Sequence, residues 1–326
     1  MAVLMEPALS ATRPMFLKGN PTLRKHFPVF FGPDGLRSGW RLLLFLLMAQ
    51  ILGVFLFWVA IRPAFQRGLF SWSPLKLTVL EMWFFLSLLL AAAIMARIEG
   101  RALGVYGLPG RAAFGARFWE GALWGLGALT LLLAALRQTG NFNFGTLALQ
   151  GPAAWRWGVG WAIGFIAVAL FEEYSVRGYP LFTLTTGMGF WPSAALLSAL
   201  FGLGHAFNPG ETKIAVVGTV LVALFWCFSL LRTGSLWFAV GMHAAWNWGE
   251  SFLYGVPDSG HPAVGALMHP SISGPEWLSG GSAGPEGSVL DLPLTFLLWV
   301  MLAARFARVA SCEAGHHDSP PIHHQN

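Results

Sequence analysis

Long apolar runs separated by short polar or Gly/Pro-containing stretches occupy most of the chain, and Trp40 and Trp58 bracket the first of them, residues 42–61, as interfacial aromatics. A helix needs about 20 apolar residues to cross about 30 Å of hydrocarbon. On that measure further runs follow at 77–96, 118–136 and 157–172, then at 190–207, 214–231, 236–254 and 289–304. The pattern predicts an all-α fold, a polytopic membrane helix bundle of about eight transmembrane helices. Pro192 stands in the first turn of the fifth run, where proline suits a helix start.

The bundle is expected to fill residues 40–308. Residues 1–39 carry Arg13, Lys18, Arg24, Lys25 and Arg37 against Glu6 and Asp34, and prolines and glycines break them up, so they read as a basic, loosely structured N-terminal segment. Residues 309–326 are polar, include four histidines, and read as a disordered C-terminal tail. Short cytoplasmic loops are enriched in Lys and Arg. With eight alternating spans, the N-terminal segment, Arg97, Arg101, Arg111 and Arg117 of the 97–117 loop, Arg177, Arg232, and Arg305 with Arg308 share one side. Both termini are therefore expected in the cytoplasm and the chain in the cell membrane. The 62–76 loop, with Arg62, Arg67 and Lys76, runs against the rule. The Gly/Pro/Ser-rich stretch 256–287 is expected to be an exposed flexible loop on the opposite side.

Composition narrows the class further. The chain is 55% hydrophobic and only 11% charged, with a mean hydropathy of +0.59, which sets it apart from soluble proteins, in which about 25% of residues are charged. Its net charge of +5 would suit a nucleic-acid partner only if the arginines formed a basic face, and they are scattered between apolar runs instead. No nucleic-acid partner is expected. Cys227 and Cys312 are far apart and propose neither a disulfide framework nor a cysteine metal site. The first 40 residues lack the apolar core and small-residue cleavage site of a removable signal peptide.

Three polar sets interrupt the apolar runs: Glu172, Glu173 and Arg177 in FEEYSVRGY, His205 at the end of FGLGH, and His243 with Asn247 in GMHAAWN. Ionisable groups at a helix centre in a bilayer cost roughly 2.5 to 3.5 kcal/mol each by insertion scales, so their presence points to function. Glu173 and Arg177 are four apart and can pair, which leaves Glu172 free to face something else. His243 and Asn247 share a helix face, and Glu250, seven residues from His243, is expected on it too. These residue types can run a hydrolysis. A partly desolvated carboxylate (Glu172) takes a proton from water, a neutral histidine (His205) holds that water, and a histidine with an amide (His243, Asn247) donates to the oxygen of the attacked carbonyl. HExxH is absent. Two histidines and a carboxylate would also serve zinc, and the sequence leaves metal-dependent and metal-free routes open. No other cofactor site is indicated.

The motifs E-E-x-x-x-R, F-x-x-x-H and H-x-x-x-N, in this order on successive apolar runs, resemble the CPBP family of intramembrane proteases. That family includes the type II CAAX prenyl endopeptidases, the Ras-converting enzyme and the bacterial Abi and lysostaphin-resistance proteins. The resemblance covers about residues 157–250. It implies an eight-helix bundle, Glu172 and His205 activating water, His243 and Asn247 as an oxyanion site, and Glu173 and Arg177 in support. The expected function is a membrane-embedded endopeptidase acting on a membrane-associated peptide or protein. The alternatives are a non-enzymatic scaffold or peptide-immunity protein of the same fold, and a proton-coupled transporter. For Glu172 and His205 to meet, the fourth helix is expected to run on past Gly178 toward Leu184.

Overall fold

A computed structural model of the chain describes residues 21–33, 35–68 and 72–317. The fold is all-α, with 73% of residues helical. Helix α1, Ser38–Leu56, continues through a π-helical turn, Phe57–Ile61, into Arg62–Gln66. It is followed by α2 (Ser73–Glu99), α3 (Ala116–Gln138), α4 (Gly151–Arg177) and α5 (Tyr179–Met188). Then come α6 (Phe190–His205), α7 (Lys213–Thr233), α8 (Trp237–Trp248) with a π-helical turn at Gly249–Tyr254, and α9 (Asp291–His317). Among the described residues, five helices are long and apolar enough to cross a membrane: Ser38–Gln66, Ser73–Glu99, Ala116–Gln138, Gly151–Met188 and Lys213–Thr233. Leu43, Leu47, Ile51 and Phe55 of α1 and Trp58 of the π-helical turn are all exposed, an apolar surface that suits lipid rather than water. The protein is a membrane protein.

The helical path does extend past Arg177, but with a break. Gly178 leaves the helical region (φ −77°, ψ −133°) and Pro180 opens the next helix. Proline lacks the N–H that would bond the carbonyl four residues back, and its ring crowds that carbonyl, so a straight helix cannot pass through. Helix α5 is then tied down by Glu99, which accepts hydrogen bonds from Tyr179 (2.5 Å) and Tyr106 (2.9 Å).

Close approach of α3 and α8 depends on three glycines. A Cβ on Gly121 would lie 2.0 Å from the Phe238 carbonyl oxygen, one on Gly125 2.1 Å from that of Met242, and one on Gly241 2.0 Å from that of Phe118. Glycines four apart on one helix, facing a third across the interface, bring the backbones into contact. This contact sets the depth of α8, and with it His243 and Asn247. The other side of α8 packs on α4, which also packs on α2.

The sequence pattern predicts no strands, yet the described residues include two small antiparallel sheets. Phe31–Gly32 pairs with Gly35–Leu36, and Phe142–Leu147 pairs with Met268–Ile272. The second sheet corrects the expectation of a flexible loop at 256–287. That segment is folded onto the bundle, with Val256, Asp258, Ser279 and Ala283 buried and a short helix at Glu276–Ser279. Trp161 of α4 also donates its indole N–H to the Val264 carbonyl at 2.8 Å. The expected tail from residue 309 starts inside α9, whose helical backbone runs to His317, while residues 318–326 and the first 20 residues of the N-terminal segment lie outside the described residues.

Candidate active site

Glu172, Glu173 and Arg177 sit in the last two turns of α4, where the helix runs alongside α8 and α6. The glutamates are adjacent and so point in different directions. Glu173 is fully buried, and its Oε2 accepts from Arg177 Nη1 at 2.9 Å, the expected four-residue pair. Arg177 is itself fully buried. Its Nε donates to the Ala223 carbonyl at 3.2 Å, and its guanidinium lies 5.3 Å from the Phe201 ring centroid and 5.1 Å from that of Trp226. Aromatic faces on both sides stabilise a cation that has little water around it.

The second oxygen of Glu173 has a role that sequence spacing did not suggest. Oε1 accepts from His243 Nδ1 at 3.1 Å, so one carboxylate both pairs with the arginine and holds the imidazole. The His243 ring stacks on Trp226, with centroids 4.7 Å apart and planes inclined by 15°. Two constraints therefore fix this ring, and its Nε2 points to Glu172 Oε2 at 3.6 Å. His205, the last residue of α6, donates Nδ1–H to the Phe201 carbonyl at 2.9 Å. Its Nε2 stands 4.0 Å from the same Glu172 oxygen. At that separation the two groups do not bond directly, but one water can bridge them.

Glu172, His205, His243 and Asn247 all line one cavity of about 500 Å³. Glu172 keeps 24% of its side-chain surface exposed there, while Glu173 behind it keeps none. Asn247 lies one turn beyond His243, and among the described residues its side chain has no hydrogen-bond partner, so its amide is available to the cavity. The arrangement can therefore hold a water between a carboxylate and an imidazole, and it has an amide and a second imidazole on the facing helix.

Residues 154–249 match the model of the family described as type II CAAX prenyl endopeptidase Rce1-like. This segment is an Rce1-like domain. No curated protein and no solved structure matches the chain. The family is one of membrane proteases, which carries with it a bilayer setting, a peptide substrate and hydrolase chemistry at family level.

The Rce1-like segment contains all three motifs, but the cavity reaches beyond it. Glu81 of α2, an acid within an apolar run, lines the cavity, and among the described residues its buried Oε2 has no hydrogen-bond partner. Only its being an acid within an apolar run could have signalled this. Glu120, by contrast, pairs with Arg117 and Arg305, each at 2.9 Å, as an acid at a helix end would. Glu250 does not share the cavity face with His243 and Asn247. The helix changes from α to π geometry at Gly249, which rotates Glu250 out of the seven-residue register and buries it beside Asp258 and Glu286. Near that cluster, burial raises the Glu211 carboxyl to about 7, with Glu286 adding to the shift and His205 opposing it.

Proposed function

We propose that the protein is an intramembrane endopeptidase that hydrolyses a peptide bond of a membrane-associated peptide or protein with a water activated by Glu172. The observation that carries this reading is that Glu172 Oε2 lies within 4.0 Å of both His205 Nε2 and His243 Nε2 inside one cavity. Neutral His205, its Nδ1–H given to Phe201, presents a lone pair at Nε2 and accepts from the water. Glu172 takes the other water proton as the oxygen attacks the carbonyl carbon. Asn247 Nδ2–H donates to the resulting oxyanion. His243 has committed Nδ1–H to Glu173, so it can donate from Nε2 as the imidazolium, whose charge Glu173 balances. The protonated Glu172 then returns its proton to the amide nitrogen as the C–N bond breaks, leaving a carboxylic acid and an amine.

The same three side chains would hold a zinc ion if the enzyme uses one. Two imidazole Nε2 atoms and a carboxylate oxygen are a suitable donor set, and both imidazoles have the opposite nitrogen anchored, as metal-bound histidines do. Bound there, the metal would supply Lewis-acid activation of water.

We further propose eight transmembrane helices in the cell membrane with both termini cytoplasmic. This reading takes the five long apolar helices and counts the shorter or less apolar α6, α8 and α9 as spans beside them. Purified protein in lipid nanodiscs, incubated with a library of membrane-tethered peptides in H₂¹⁸O with and without chelator, tests the activity. Defined cleavage with one ¹⁸O in each new carboxyl supports the reading. Peptide binding without cleavage would favour the scaffold alternative.

A further inference from the structure

We propose that the protein binds a divalent cation of the calcium type between Glu250, Asp258 and Glu286, at the C-terminal end of the helix that carries His243 and Asn247. One carboxylate oxygen from each of the three residues lies within 4.8 Å of the other two. Calcium binds oxygens at about 2.3 to 2.6 Å, so ligands of one ion can stand up to about 5.2 Å apart, and its flexible shell of about six to eight oxygens accepts carboxylates grouped in this way. A donor set made of oxygen alone points away from zinc and copper.

Proximity alone would not make a site, but the state of Glu250 points to a ligand. Its side chain is fully buried, and among the described residues neither carboxylate oxygen has a hydrogen-bond partner. A carboxylate withdrawn from water without donors is among the costliest groups to bury. Among the described residues no Lys or Arg forms an ion pair with Glu250, Asp258 or Glu286, and Asp291 at the start of α9 adds a fourth acid nearby. The other two carboxylates are already oriented. Asp258 Oδ2 accepts from the Ser251 hydroxyl at 3.3 Å, and Glu286 accepts from Trp246 Nε1 at 3.0 Å and from the Ser259 hydroxyl at 2.7 Å. A bound cation would supply the one partner Glu250 lacks.

The position gives the site a consequence. Asp258 and Glu286 belong to the folded 256–287 segment and also line the cavity, while Glu250 follows Asn247 by three residues. The cation therefore clamps this wall of the cavity to α8. The inference stands whether or not the cavity is proteolytic.

Terbium serves as the probe, because a calcium-like ion bound here would sit beside the Trp246 indole and be sensitised by it. The full-length protein, purified in detergent and stripped with chelator, is titrated with Tb³⁺ under tryptophan excitation, and its melting is followed with and without calcium. We expect saturable luminescence that calcium displaces, and melting at higher temperature with calcium. Glu250→Gln and Glu286→Gln should each weaken terbium binding at least about tenfold and remove the calcium-dependent shift. Glu276→Gln, in the same segment but exposed, should bind as the wild type does. Absence of both saturable luminescence and a melting shift in the wild type would overturn the proposal, as would wild-type binding by the two glutamine variants. If Glu250→Gln fails to fold, Glu286→Gln and Asp258→Asn carry the same test.

Discussion

Glu173 Oε1 lies 3.1 Å from His243 Nδ1, so the glutamate that braces Arg177 on its own helix also orients the histidine on the facing one. Both partners are donors, and both oxygens are occupied. Glu173→Gln keeps the shape but presents an NH₂ to one of them, which sets donor against donor. Turnover should fall by up to about 10⁴-fold, as it does when an orienting carboxylate is replaced behind a catalytic histidine. Steady-state kinetics with circular dichroism as the folding control would show it, and a Glu173→Gln protein with wild-type turnover would refute the orienting role.

Arg177→Ala tests the other half of the arrangement. Removing one partner of a fully buried pair costs about 3 to 5 kcal/mol, because the remaining charge is stranded. Melting in detergent should therefore drop sharply. Arg177→Lys keeps the charge but loses the Nε bond to Ala223 and the flat contact with Phe201 and Trp226, and should melt between the two.

The glycine contact between α3 and α8 predicts a position-specific effect within one helix turn. Gly125→Ala places a Cβ 2.1 Å from the Met242 carbonyl oxygen, next to His243, and should lower melting temperature and turnover together. Gly127→Ala meets nothing within 4 Å and should melt at or above the wild type, since alanine favours helix over glycine by about 1 kcal/mol. Equal behaviour of the two variants would mean that the contact does not position α8.

Asn247→Ala should be milder than loss of the base. One oxyanion donor is removed from a site that keeps His243, and such deletions cost about 10² to 10³ in turnover. The change should fall on kcat with KM nearly unchanged, whereas a raised KM with kcat unchanged would make Asn247 a substrate-binding residue.

Much of the site was legible in the sequence because it is written in helical spacing. Glu173 and Arg177, four apart, do pair, and His243 with Asn247 do face one cavity. What spacing could not show is contact between helices, and so the second bond of Glu173 went unread. Register reasoning failed at Glu250 because a π-helical turn begins at Gly249, and nothing in the local residues announces it. The 256–287 stretch was misread for a different reason. Glycine and proline report turns, and these turns are buried: Gly284 adopts φ 101° with the Pro257 carbonyl oxygen 2.2 Å from where a Cβ would be. Glu81 was visible as an acid in an apolar run, but its depth depends on where α2 lies against α4.

Hydrolysis by the proposed route depends on Glu172. The measurement is turnover of a membrane-tethered peptide by Glu172→Gln in nanodiscs, set beside its helicity and melting temperature. The amide preserves shape and cannot accept the proton from water, so cleavage should vanish from a protein that still folds and melts as the wild type does, and His205→Ala should share that loss. Substantial cleavage by folded Glu172→Gln would contradict the claim that this carboxylate activates the water.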